Sequence, residues 1–203
     1  MFLKVAFVLV VLALMGGVHG QDDPLAECQY FTQTYHLMFE GTNDNIRIRM
    51  GEYTMDVSRR LTDIIVAEIA QWESRARHCG LQRNTEAIGR VISECAERKA
   101  FQLVDLQSDI FTILEEIQVL SNELSIMPIT QLANINIMLE KDNFMQLCET
   151  FVVDHYNELE DVHITRLNDH INNLLDARDN LPQDLTTCIN AGMLKRFPNI
   201  HSC

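Results

Sequence analysis

The sequence predicts an all-α chain: an elongated antiparallel bundle of four long helices plus a short C-terminal helix, stapled by three disulfides. Three observations lead there. Apolar residues recur at helical spacing along most of the chain, no stretch alternates with period two for long enough to be a strand, and six cysteines all lie beyond an N-terminal apolar segment.

That segment comes first. Lys4 precedes an unbroken apolar run from Val5 to Met15, followed by the mostly small residues Gly16, Gly17, Val18, His19 and Gly20. Spanning a bilayer takes about 20 apolar residues, so this shorter run reads as an export signal cleaved after Gly20. Residues 1–20 are then a signal peptide, and 21–203 a single disulfide-stapled helical domain without membrane insertion. Loss of Lys4 takes the formal charge from −13 to −14. A chain so acidic repels phosphate backbones and anionic membranes, which disfavours a nucleic-acid partner. The charge is uneven: residues 42–100 hold ten Arg/Lys against nine Asp/Glu, whereas 101–203 hold five against sixteen. The plain reading is that an Arg-bearing helix packs beside acidic ones. An even cysteine count behind an export signal, without any C-x-x-C pair, points to disulfides in an extracellular compartment rather than to zinc.

The elements follow in order. Leu25, Cys28, Phe31, Tyr35 and Met38 step by three or four until Gly41, which is expected to break the helix. Asn43 or Asp44 would cap the next one, whose stripe runs Ile46, Met50, Tyr53, Val57, Leu61, Ile64, Glu68, Trp72, Ala76 and Cys79, with Glu68 its one polar interruption and Gly80 its stop. A third helix, starting as early as Asn84, carries the clearest signal. Leu103, Leu106, Ile110, Ile113, Ile117, Leu120, Leu124 and Met127 alternate steps of three and four, and Phe111 and Leu114 widen the stripe toward a multi-helix bundle with coiled-coil character. Pro128 is expected to end it. The pattern resumes at Leu132 and continues through Leu147, Cys148, Phe151, His155, Leu159, Val162, Leu167, Ile171 and Leu174; Asn180 to Pro182 then make a turn into the last helix.

The cysteines fall into two triplets, Cys28/Cys79/Cys95 and Cys148/Cys188/Cys203, with Cys28-Gln-Tyr-Phe31 resembling Cys148-Glu-Thr-Phe151. Two diverged repeats, 24–127 and 144–203, would explain this. The export signal, long helices and widely spaced cysteines closing near the C-terminus resemble the secreted insect proteins that carry a TsetseEP-type domain. The resemblance covers most of the mature chain and rests on the six cysteines as spacing marks; the Glu-Pro repeat tract of the founding members is absent. It implies an extracellular insect protein of gut, saliva or body fluid without known catalysis, and no functional residue carries over.

Folding straight helices at Gly41, near Gln82, at Pro128 and near Asn180 places Cys28 level with Cys148. By level, Cys79 then best suits Cys188, leaving Cys95 for Cys203; the rival is pairing inside each triplet, 79–95 and 188–203. His163 and His170 share a face but sit two turns apart, about 10 Å, too far for one ion. Glu158, Glu160, Asp161 and His163 read as a solvated helix face. No G-x-S-x-G, H-E-x-x-H or phosphate loop occurs, so no catalytic residue, metal or cofactor is expected. Trp72, Phe101, Phe111, Phe144 and Phe151 read as packing rather than pocket. One positive feature remains. Asp109, Glu116 and Glu123 recur every seven residues along one edge of the apolar seam, where coiled helices select partners by charge. That edge either meets Arg59, Arg60 or another arginine of the second helix within the molecule or faces a basic extracellular protein. Two non-enzymatic readings stay open: a protein-binding module, or a carrier that encloses an apolar small ligand between helices.

Overall fold

A computed structural model describes residues 23–81, 84–130, 132 and 141–200. The expected signal peptide and Cys203 lie outside them. The described residues form α1 (Pro24–His78), α2 (Thr85–Thr130), α3 (Lys141–Glu158), a π-helical turn (Leu159–Ile164), α4 (Thr165–Asp179) and α5 (Leu181–Arg196), with no strand among them.

α1 starts where local chemistry favours a start. Asp23 Oδ1 accepts from the backbone N–H groups of Leu25 (3.0 Å) and Ala26 (3.5 Å), and Pro24 occupies the first helical position, where its missing N–H costs nothing. The helix then runs 55 residues, straight through Gly41. This corrects the expected break there: Cys28, Thr32, Tyr35, Phe39, Asn43 and Met50 form one continuous buried stripe, so packing overrides the roughly 1 kcal/mol that a mid-helix glycine costs. Asn43 caps nothing; its side-chain amide donates to Gln118 Oε1 at 3.0 Å. Met38, expected inside, is exposed and Phe39 takes its place. Two long helices therefore stand where three were expected, so the four-long-helix arrangement is not the one formed.

The end of α1 is as predicted. Gly80 sits at φ 68°, Leu81 N–H donates to Ala76 O at 2.7 Å and Gly80 N–H to Arg77 O at 3.4 Å. These are the two bonds of a Schellman stop. α2 begins at Thr85 and buries Leu103, Ile110, Ile113, Ile117, Leu124 and Met127 as its periodicity requires. It continues past Pro128 to Thr130. A proline this near a helix end forfeits one backbone bond, and its fixed φ is compatible with the helix, so the expected stop is displaced.

The chain divides into two compact units. The first combines α1 up to Asn43 with Glu116–Ile164. Its core joins Cys28, Tyr35 and Phe39 to Ile117, Leu124, Phe144, Cys148, Val152 and Leu159. A Cys28–Cys148 disulfide, with Cα atoms 6.1 Å apart, ties α1 to α3. His36 Nδ1 lies 2.9 Å from the Ser121 hydroxyl, and the Tyr35 and Tyr156 rings pack edge to face at 5.9 Å. Burial pushes the Tyr156 phenol up to about 12, helped by the Glu160 charge. The π-helical turn has a sequence cause. Buried positions step by seven from Val152 to Leu159 and again from Leu167 to Leu174, but by eight between Leu159 and Leu167. The wider π turn absorbs the extra residue and keeps the stripe inward. Leu147 and Val162, expected in that stripe, are exposed.

The second unit combines Asp44–Glu115 with the chain from Thr165 onward. Trp72 and Ala76 of α1, Ile88, Val91, Ile92, Cys95 and Ala96 of α2, and Leu185, Ile189 and Met193 of α5 form one cluster. The Tyr53 hydroxyl donates to the Leu174 carbonyl at 2.9 Å, and burial pushes this phenol up to about 12 against the opposing pull of Arg178. The expected turn at Asn180–Pro182 does not reverse the chain. Asn180 keeps helical angles (φ −83°, ψ −7°), its N–H donates to Asp176 O, and Asp184 N–H donates to its carbonyl. Pro182 falls in the first turn of α5, where its missing N–H is tolerated, and the chain direction is not reversed. Consequently α4 and α5 both run antiparallel to α2: His170 meets Asp109, and further along Asp184 meets Lys99, Cys188 meets Cys95, and Gly192 meets Val91.

That register corrects the remaining pairings. Cys95 bonds Cys188 (Cα–Cα 5.9 Å), which excludes Cys79–Cys188, Cys95–Cys203 and both within-triplet bonds. The last helix does not double back at Asn180, and the α2–α5 register, with Lys99 against Asp184 and Val91 against Gly192, brings Cys188 to Cys95. Cys79 is oxidised as well, with its sulfur 3.6 Å from the Ile200 carbonyl.

Candidate interaction surfaces

Of the acidic edge on α2, the structure pairs two members with histidines. Glu116 Oε2 lies 3.3 Å from His163 Nδ1 in the first unit, and Asp109 Oδ2 lies 3.7 Å from His170 Nδ1 in the second. Seven residues separate the two acids and seven separate the two histidines, so antiparallel helices bring each acid to one imidazole. Both Nδ1 atoms are buried without a hydrogen-bond partner among the described residues, and the contacts become ion pairs only when the rings are protonated. Glu123 is exposed, and Asp109 keeps 60 % of its side chain exposed. Arg59 and Arg60, the expected internal partners, are occupied on their own helix by Asp56, at 2.9 and 2.8 Å. Desolvation works against the Asp56 anion, but the hydrogen bonds from Arg60 and Arg59 outweigh it and hold this carboxyl below the usual range. The pairing signal is present in the sequence: His163 and His170 share a face at the same seven-residue spacing as Asp109 and Glu116.

Glu68, the polar interruption of α1, is buried and fully engaged. Trp72 Nε1 donates to Oε2 at 3.0 Å and the Thr186 hydroxyl donates to Oε1 at 2.7 Å. Oε1 thus ties α1 to α5 and Oε2 fixes the Trp72 ring on α1 itself, so this carboxylate serves packing. Trp72 itself is fully buried beneath the Arg75 guanidinium, 4.9 Å from the ring. Phe144 is likewise core. Phe151 stacks on His155 at 3.9 Å, Phe111 lies under Arg47, and Phe101 is 68 % exposed, contrary to its expected packing role.

Two features of the second unit are open to solvent. The first is apolar. Thr54 accepts from Gln107 at 2.8 Å, which fixes the facing lines of α1 and α2, while Tyr53 points the other way toward α4. Ile48 and Met55 each stand one residue beyond a position that faces α2, turned away by about 100°, and are 65 % and 69 % exposed. Val104 and Phe101 turn outward in the same sense from Gln107. These four large apolar side chains therefore share the side of the α1–α2 pair opposite α4. The second feature is a groove of about 850 Å³ between α2 and α5, above the Cys95–Cys188 bond. Its walls carry Arg98 and Lys99 from α2 and Lys195 and Arg196 from α5, against Glu94 and Asp184.

Among the described residues no group of three or more His, Cys, Asp or Glu side chains is placed to hold a metal ion, and no helix is long and apolar enough to cross a membrane. No family model, no curated protein and no solved structure matches the chain.

Proposed function

We propose that the chain is a secreted, non-enzymatic helical protein that acts by binding another extracellular protein. The observation that carries this reading is the outward apolar side of α1 and α2, with Ile48, Met55, Phe101 and Val104 each more than half exposed. Large apolar side chains gathered on one helix face cost solubility unless a partner covers them. Oxidised cysteines favour an extracellular setting. The TsetseEP-type resemblance points to insect gut, saliva or body fluid as that setting. The alternative, a carrier of an apolar small ligand, draws no support from the α2–α5 groove, which is open and rimmed by charge.

The test is capture of a defined partner from the native fluid by immobilised wild type and by a Met55→Glu/Phe101→Glu variant of equal helicity. The reading expects one partner protein held by wild type and lost with the variant. Equal capture by both, or turnover of an ester, peptide or glycan substrate by the purified protein, overturns it.

A further inference from the structure

The α2–α5 groove of the second unit runs against the charge of the whole molecule. The chain holds 29 Asp and Glu against 16 Lys and Arg, yet four of those cations line this one groove beside only two acids. One pair is already neutralised, with Lys99 Nζ 2.7 Å from Asp184. Arg98, Lys195 and Arg196 have no carboxylate within ion-pair distance among the described residues and stay exposed, opposed by Glu94 alone. Screening confines electrostatics to about 8 Å at physiological salt, so the distant negative charge does not cancel this excess at contact range.

Register fixes how those cations are spread. Lys99 stands opposite Asp184 and Val91 opposite Gly192, so Arg98 marks one end of the groove and Lys195 and Arg196 the other. Eleven residues of α5 separate Asp184 from Lys195, about 16 Å at helical rise. A ligand that engages both ends needs anionic groups that far apart, which is about five residues of extended chain at roughly 3.3 Å each. The wall between is low: Thr187 and Ala191 of α5 are small side chains that leave room for a backbone to lie close. Arginine at one end also offers the planar fork that matches a carboxylate.

We propose that this groove docks an extended acidic segment of the partner protein, one carboxylate on Arg98 and a second, about five residues away, on Lys195 and Arg196. The proposal rests on the protein-binding reading and adds a second contact, separate from the apolar side of α1 and α2.

The test uses the oxidised full-length mature protein and a fluorescein-labelled peptide of about twelve residues, with glutamates about five residues apart in a Gly/Ser background. Fluorescence anisotropy is expected to show saturable binding that weakens as salt rises, and at least about tenfold weaker binding for Arg98→Glu/Lys195→Glu/Arg196→Glu. That variant is expected to gain binding to the matching lysine peptide. Arg59→Glu, on α1 and outside the groove, is expected to bind like wild type. Unchanged affinity in the triple variant, equal binding of a peptide with adjacent glutamates, or preference for a sulfated oligosaccharide over the peptide overturns the proposal. Failure of the broader reading looks different: Met55→Glu/Phe101→Glu would leave native-fluid capture intact whatever the peptide does.

Discussion

Three glycine-to-alanine substitutions are expected to have effects of different sign, for reasons that local sequence does not distinguish. At Gly41 an added Cβ meets nothing within 4 Å. The position is helical and exposed, so Gly41→Ala removes backbone entropy from the unfolded chain and should stabilise by about 0.5–1 kcal/mol, or about 1–4 °C in Tm for a domain of this size. At Gly192 the same Cβ would fall 2.6 Å from Val91 Cγ1. Valine in a helix is held to one rotamer, so the contact relaxes only if α2 and α5 separate. Overpacking costs about 1–3 kcal/mol and outweighs or cancels the helical gain of about 1 kcal/mol, leaving a net loss of about 0–2. At Gly80, with φ 68°, alanine should cost about 1 kcal/mol through the left-handed backbone alone. Urea unfolding of the oxidised protein, followed by circular dichroism, resolves these differences. A double-mutant cycle sharpens the Gly192 case, because Val91→Ala should relieve the clash and give favourable coupling of about 1 kcal/mol or more. If Gly41→Ala destabilises as Gly80→Ala does, α1 is broken at Gly41. If Gly192→Ala stabilises as Gly41→Ala does, the close approach of α2 and α5 is wrong.

Reducing the disulfides, which close sequence separations of 120 and 93 residues, should cost roughly 2–4 kcal/mol each and lower the melting temperature sharply, while EDTA leaves it unchanged; loss of helicity on chelation would reveal a metal site. Glu116→Lys places an ammonium beside His163 and should destabilise by about 0.5–1 kcal/mol, because the pair is partly exposed, whereas Glu123→Lys on the same edge should stay within about 0.5 kcal/mol of wild type in the same urea assay. In alkaline ultraviolet titration, Tyr53 and Tyr156 should ionise only near pH 12. Their folded pKa values lie above the unfolded ones, so stability is intact below pH 10 and falls as pH rises from 10 to 12; ionisation of all tyrosines near 10 in the folded state would contradict this.

Where the apolar rhythm was uninterrupted, the sequence was enough. The α2 stripe, the stop at Gly80 and the start near Asn84 all follow from local chemistry. Gly41 misled because a glycine in a long helix is cheap beside the burial of Tyr35, Phe39 and Met50 around it; reading Phe39 instead of Met38 as the inward residue would have carried the stripe across. The Cys28–Cys148 bond does not depend on a fold at Gly41, through which α1 is continuous. In the structure, His36 against Ser121 and Asn43 against Gln118 bring Cys28 to about the level of Thr130, and Glu116 against His163 brings Cys148 to the same level. Two displaced turns compensated. At Asn180 no compensation occurred, because a proline in the first turn of a helix need not reverse the chain, and the partner of Cys95 changed with it. The groove was beyond reach for another reason: Arg98 and Lys195 become neighbours only through the α2–α5 register.

Mass-spectrometric mapping of the protein purified without reduction from the fluid or tissue that makes it tests the central claim, a secreted helical protein stapled by cross-helix disulfides, most directly. The expected result is an N-terminus at Gln21 and linked peptides joining Cys28 to Cys148 and Cys95 to Cys188. An intact Met1 start with free thiols, or Cys28 or Cys95 linked to any other cysteine, would contradict it.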